Sequence, residues 1–95
     1  MIGALEIELH LPAARSLKEK RAVLRPIIES SRSRYRVAIA ETGYQDLHQR
    51  AVIEVAAVSS AARVVTDELD AVERLVWSSP GIEVIASRRW WSDGE

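Results

Sequence analysis

The chain has no cysteine. Disulfides, thiolate catalysis and cysteine-ligated zinc are therefore excluded. No apolar run approaches the roughly 20 residues a membrane-spanning helix needs, so no membrane partner is expected. The opening stretch MIGALEIELHL carries acids and no basic leader, so it does not read as a signal peptide. Long linkers, low-complexity segments and short-period repeats are also lacking. What remains is 95 residues with 47% hydrophobic and 28% charged side chains, ordinary composition for one globular domain spanning 1–95. A cytoplasmic protein is the expectation.

Charge is scarce in total and uneven in placement. The net charge is −1, yet Arg15 to Arg36 holds eight Lys/Arg against Glu19 and Glu29. That segment carries +6 and the remainder −7. Such asymmetry points to a polyanionic partner better than the total does.

Residues 2–11 alternate, with Leu5, Ile7, Leu9 and Leu11 on one face and Glu6, Glu8 and His10 on the other, as a half-buried strand does. Pro12 ends it. Ser16 and Glu19 form an S-x-x-E capping box, which opens a helix to about Arg34 with Leu17, Leu24, Ile27 and Ile28 toward the core. Pro26 removes a hydrogen bond to the Ala22 carbonyl and predicts a kink. Strands follow at 35–43 and 50–60, joined by the turn at 44–49. Ser59 or Ser60 caps a second helix over about 61–78, whose stripe is Val64, Val65, Leu69, Val72, Leu75 and Val76. Trp77 falls outside that stripe. A last strand, IEVIASRRWW, begins at Ile82. The order β-α-β-β-α-β predicts an α+β, ferredoxin-like fold: a four-stranded antiparallel sheet, order 4-1-3-2, with two helices on one face.

This topology puts Arg15 and the first turn of the basic helix at the same end as Tyr44, Gln45, Asp46 and His48, with His10 close by. On the helical wheel Lys18, Arg21, Arg25 and Arg32 fall within about 60° of one another, beside the apolar face. A solvated helix face is the ordinary explanation of a charge run. Here few acids alternate with the bases, so i,i+4 pairing does not account for them. Lys18, Lys20 and Arg21 also oppose the helix dipole, at roughly a few tenths of a kcal/mol each. An anion at the helix start would offset that cost. The arginines of SRSRYR (31–36) suit a helix C-terminus on their own account. Lys20 and Glu68 each lie among apolar residues of their helices. Either they pair between the antiparallel helices or they snorkel to the rim.

On the open sheet face the central strands present Glu6, Glu8, Arg50, Val52 and Glu54. Acids repel phosphates and nothing there stacks on a base, which argues against RNA-recognition-motif binding. Ala38, Ala40, Ala56, Val58 and Ile85 on this face suit a protein surface better, such as a second copy of the chain. Trp90 and Trp91 either cover the open edge of the core or anchor a partner.

His10, Asp46 and His48 gather at the polar end, but without metal-ligand spacing, and no nucleophile has an obvious base. Acylphosphatases share the expected fold and bind phosphate after the first strand. Here that loop is LPAAR, short and without the glycines that cradle a phosphate. No catalytic residue, cofactor or metal is expected, and no enzymatic activity.

The segments LEIELHLPAARSLKEKR, RVAIAETGYQDLHQRA and VAAVSS together resemble the YlxP-like family, also called domain of unknown function 503, and the resemblance runs from Ile2 to Arg89. The matching positions are Ser16, Leu17, Lys18, Lys20, Arg21, Asp46, Leu47, Arg50 and Ala51. Many members carry Trp where this chain has His48, and the Trp90–Trp91 tail lies outside the family pattern. The resemblance implies a bacterial, cytoplasmic, ferredoxin-like protein. Its gene often neighbours those for translation initiation factor 2 and ribosome-binding factor A, which implies ribosome assembly or translation.

The expected function is thus that of a non-enzymatic accessory protein contacting structured RNA, with ribosomal RNA or a ribosomal subunit as partner. Arg15, Lys18, Lys20, Arg21, Arg25, Gln45, Asp46 and Arg50 form the expected contact set. The rival expectation is a protein-interaction module, a homodimer using the exposed sheet face together with Trp90 and Trp91.

Overall fold

The computed structural model describes residues 1–93; Gly94 and Glu95 of the expected domain lie outside the described residues. Six elements follow in order: β1 (Ile2–His10), α1 (Leu17–Arg34), β2 (Ala38–Gly43), β3 (Arg50–Val58), α2 (Ala62–Trp77) and β4 (Glu83–Ser92). They form one four-stranded antiparallel sheet ordered β2-β3-β1-β4, the expected order read from its other edge. Both helices lie on one face, α2 over the central strands β1 and β3 and α1 over β2.

The alternation in β1 is realised: Leu5, Ile7 and Leu9 are buried against Ile53, Val55, Leu24, Ile27, Val65, Leu69, Val72 and Val76 in a single core. Val64, expected in the stripe of α2, is instead exposed, and Leu75 is half-buried. Gly3 is buried where a Cβ would meet Val65 at 2.6 Å and the Trp91 ring at 2.8 Å, so absence of a side chain lets α2 and β4 close over β1.

The capping box forms as expected. Ser16 Oγ accepts the Glu19 N–H at 3.1 Å, and the Glu19 carboxylate accepts the Arg15 N–H at 3.0 Å. Helix α1 runs unbroken through Pro26. Ala22 and Pro26 both sit on its exposed side, where water can satisfy the carbonyl that proline leaves unbonded. The cap of α2 differs from expectation. Ala61 is the capping residue, and Ser59 Oγ instead accepts the Ala61 N–H one step earlier, as a serine turn. Strand β2 starts at Ala38, three residues later than the sequence predicts, because Tyr35 closes the C-terminus of α1 by donating its N–H to the Ser31 carbonyl.

No helix among the described residues is long and apolar enough to cross a membrane.

Candidate functional site

The start of α1 and the 44–49 turn meet at one end of the molecule, and Lys20 joins them. Its side chain is 1% exposed. The ammonium donates to the Tyr44 carbonyl at 2.9 Å and the Arg50 carbonyl at 3.1 Å, the two ends of the turn. It also lies 2.7 Å from Glu41 Oε2. That oxygen is within ion-pairing distance but accepts no well-aligned hydrogen bond. Glu41 sits on the core side of β2, beyond Ile39, and needs a cation from the helix above it. Lys20 supplies it.

Two expectations are corrected here. Lys20 cannot touch an RNA phosphate, because all of its ammonium is spent inside the fold. Nor does it pair with Glu68, whose carboxylate accepts the Arg36 N–H at 3.3 Å.

Around this buried clamp the structure brings together Arg15, Lys18, Arg21 and Arg25, all exposed. Among the described residues no acid lies within ion-pairing distance of any of the four. The N–H groups of Leu17 and Lys18, at the open start of α1, likewise have no partner among the described residues. Arg21, Arg25 and Arg32 line a groove of about 300 Å³ between α1 and the edge strand β2, with Ala40 and Glu41 opposite. Arg32 donates from Nη2 to the Ile39 carbonyl at 2.9 Å, so one of these bases covers the sheet edge.

Gln45, Asp46 and Arg50 stand apart from that stripe. Gln45 donates to the Glu41 carbonyl at 2.9 Å and braces the turn, while Asp46 is exposed. Arg50 lies on the open sheet face, ion-paired with Glu8, with its guanidinium carbon 4.9 Å from the centre of the Tyr44 ring. Sequence reasoning placed Tyr44 at this end but gave it no role. Its signal was the Gly-Tyr pair at the tip of the turn; Tyr44 alone among the described non-glycine residues has a left-handed backbone, φ 55°.

Bases elsewhere are neutralised only in part: among the described residues Arg34, Arg36 and Arg74 also have no acid within ion-pairing distance. Arg88 pairs with Glu6, and Arg89 with Asp70 and Glu73. Burial works against the Arg89 charge, but the hydrogen bonds it donates to Glu73 and Asp70, with the attraction of their negative charge, outweigh it and hold its pKa above the ordinary value. His10 pairs with Glu83 across β1 and β4. Among the described residues no cluster of three or more His, Asp or Glu could hold a metal.

The two tail tryptophans part company. Consecutive residues of β4 point to opposite faces, so Trp91 lies beside Gly3 on the helix side while Trp90 stands opposite Ala4 on the open face. Only Trp90 fits the expected partner contact on the sheet face. There it ends a row across the sheet, Ala38–Ala56–Ala4–Trp90.

The element order and sheet topology define a ferredoxin-like protein. Solved structures support the fold and nothing further: the de novo designed protein Foldit4 matches with a TM-score of 0.61 at 12% identity, covering 97% of this chain and 99% of that one. The de novo designed protein LFR1 1 with ferredoxin fold matches at 0.50 and 13% identity, covering 99% and 88%. The family model described as protein of unknown function (DUF503) matches residues 2–89. The uncharacterized protein YlxP of Bacillus subtilis (strain 168) is 43% identical over 91 residues, covering 96% of this chain and 99% of its own. The chain belongs to the DUF503, or YlxP-like, family.

Proposed function

We propose that this protein is a non-enzymatic cytoplasmic accessory factor that contacts structured RNA, ribosomal RNA foremost, through backbone phosphates. The observation that carries this reading is the stripe of exposed bases at the start of α1, none of them ion-paired among the described residues. A helix start favours anions, since its unpaired N–H groups and the dipole both attract negative charge. Placing Lys18 and Arg21 there costs stability in the free protein, and a bound phosphate turns the same placement into a favourable one. Arg25 extends the charge along about two turns of helix and Arg15 adds to it just before the cap, as a phosphate backbone requires, whereas a single small anion would need only one turn.

A second reading is favoured by one observation, the 46% exposed Trp90 at the end of the alanine row on the open sheet face. In that reading the protein associates with a second copy through this face.

Cosedimentation tests the first reading. Protein from a cell lysate should travel with a ribosomal subunit at low salt and leave it at high salt. Protein that stays at the top of the gradient at every salt concentration, yet elutes as a dimer in gel filtration, would favour the second.

A further inference from the structure

We infer that Tyr44 is a stacking platform for an unpaired nucleobase, so that the RNA recognised at this end is a loop or single strand rather than plain duplex. The inference rests on the phosphate-contact reading above and assigns what lies beside those phosphates.

The backbone that carries the ring is fixed, and the ring itself rests against Arg50. Its backbone is locked in the left-handed region by two bonds to the Tyr44 carbonyl, from buried Lys20 at 2.9 Å and from the Leu47 N–H at 3.0 Å. A tyrosine adopts that conformation at a cost, which persists only where the surroundings enforce it. On the sheet side the Arg50 guanidinium lies against the ring at 4.9 Å, and Arg50 is itself fixed by Glu8. With Arg50 in place the residue is still 43% exposed.

An aromatic surface held this rigidly loses little freedom on binding, and base stacking on such rings tolerates any sequence. Placement decides the class of ligand. Tyr44 is tied through Lys20 to the first turns of the helix bearing Lys18 and Arg21, so the platform and those bases share one end of the molecule and a single strand can meet both. Exposed Leu47 and His48 continue the surface, and Asp46 is the acid on the turn. Bases inside a duplex cannot reach such a platform, since stacking on protein needs an unstacked base.

Full-length protein with Tyr44→Ala, Tyr44→Phe and Tyr44→Gly tests this, using a single-stranded RNA oligonucleotide and an RNA duplex with the same number of phosphates. Tyr44→Gly removes the ring and also relieves the backbone strain, so a loss shared by Ala and Gly variants of unchanged melting temperature belongs to the ring. Single-strand affinity should fall roughly ten- to a hundredfold in both and hold in Tyr44→Phe, with duplex affinity unchanged. If both variants keep single-strand affinity while Lys18→Glu/Arg21→Glu/Arg25→Glu abolishes it, the platform is overturned and the phosphate reading stands. If the wild-type protein binds neither RNA at low salt, the phosphate reading falls and takes the platform with it.

Discussion

Lys20 and Glu41 face each other at 2.7 Å across the interface between α1 and β2, with the lysine side chain 1% exposed. A buried cation with three oxygen neighbours is costly to leave incomplete. Removing one partner of such a pair costs about 3–5 kcal/mol, because the other is left charged in a dry site. Lys20→Met should therefore destabilise the protein by that amount in urea unfolding, and Lys20→Met/Glu41→Gln should recover part of the loss. A loss below about 1 kcal/mol would show that the pair is solvated.

Arg89 makes the corresponding link on the other flank, tying β4 to Asp70 at 2.8 Å and Glu73 at 2.7 Å on α2. Arg89→Met should cost roughly 1–3 kcal/mol, and Arg89→Lys should restore only part of it, since an ammonium lacks the planar fork that spans two carboxylates. The raised Arg89 pKa means its stabilisation is fully present below the unfolded-state pKa and lost only as pH rises through the folded one. Stability should show no step assignable to Arg89 at neutral pH, and equal stability of wild type and Arg89→Met would contradict the link.

Ile7 and Val55 are both at most 1% exposed at the centre of the sheet. Truncation to alanine should cost roughly 2–5 kcal/mol for Ile7, with Val55 toward the lower end. Glu6 and Glu54 face the other way, bonded to Arg88 and Thr42 at the surface, and should each cost under about 1 kcal/mol as alanine. Equal losses at all four positions would mean that the open face is covered in solution.

Much of this architecture was legible in short-range pattern. The alternation at Leu5, Ile7 and Leu9 and the Ser16–Glu19 box each depend on residues a few positions apart. Both formed as the pattern indicated. The place of Lys20 among Leu17, Leu24 and Ile27 left burial and snorkelling to the rim equally open, and packing decides for burial. Its partner was not legible either, because that depends on which strand lies beneath α1. The helix wheel offers Glu68 and β2 offers Glu41, and only packing chooses. The basic stripe was readable as a stripe, but whether acids of other elements reach it is a tertiary question. The Tyr44 backbone was hidden for the same reason: one of the two bonds that enforce it comes from a helix more than twenty residues away in sequence.

Trp90 and Trp91 divide stability from association. Trp91 covers Gly3 between Val65 and Leu69, so Trp91→Ala should lower the melting temperature measurably. Trp90→Ala should leave stability nearly unchanged. If the chain self-associates through the open face, losing Trp90 should cost about 2 kcal/mol or more, roughly thirtyfold in dimer dissociation constant by analytical ultracentrifugation. Opposite assignments of the two residues would contradict the placement of β4.

RNA affinity measured against salt concentration decides whether the exposed bases at the start of α1 meet phosphates. With Arg15, Lys18, Arg21 and Arg25 each displacing a counterion, log affinity should fall linearly with log salt with a slope of about −3 to −4. Lys18→Glu/Arg21→Glu/Arg25→Glu should abolish binding at low salt with its melting temperature nearly unchanged, since none of the three is ion-paired among the described residues. Affinity that ignores salt, or survives the triple reversal, would contradict phosphate contact.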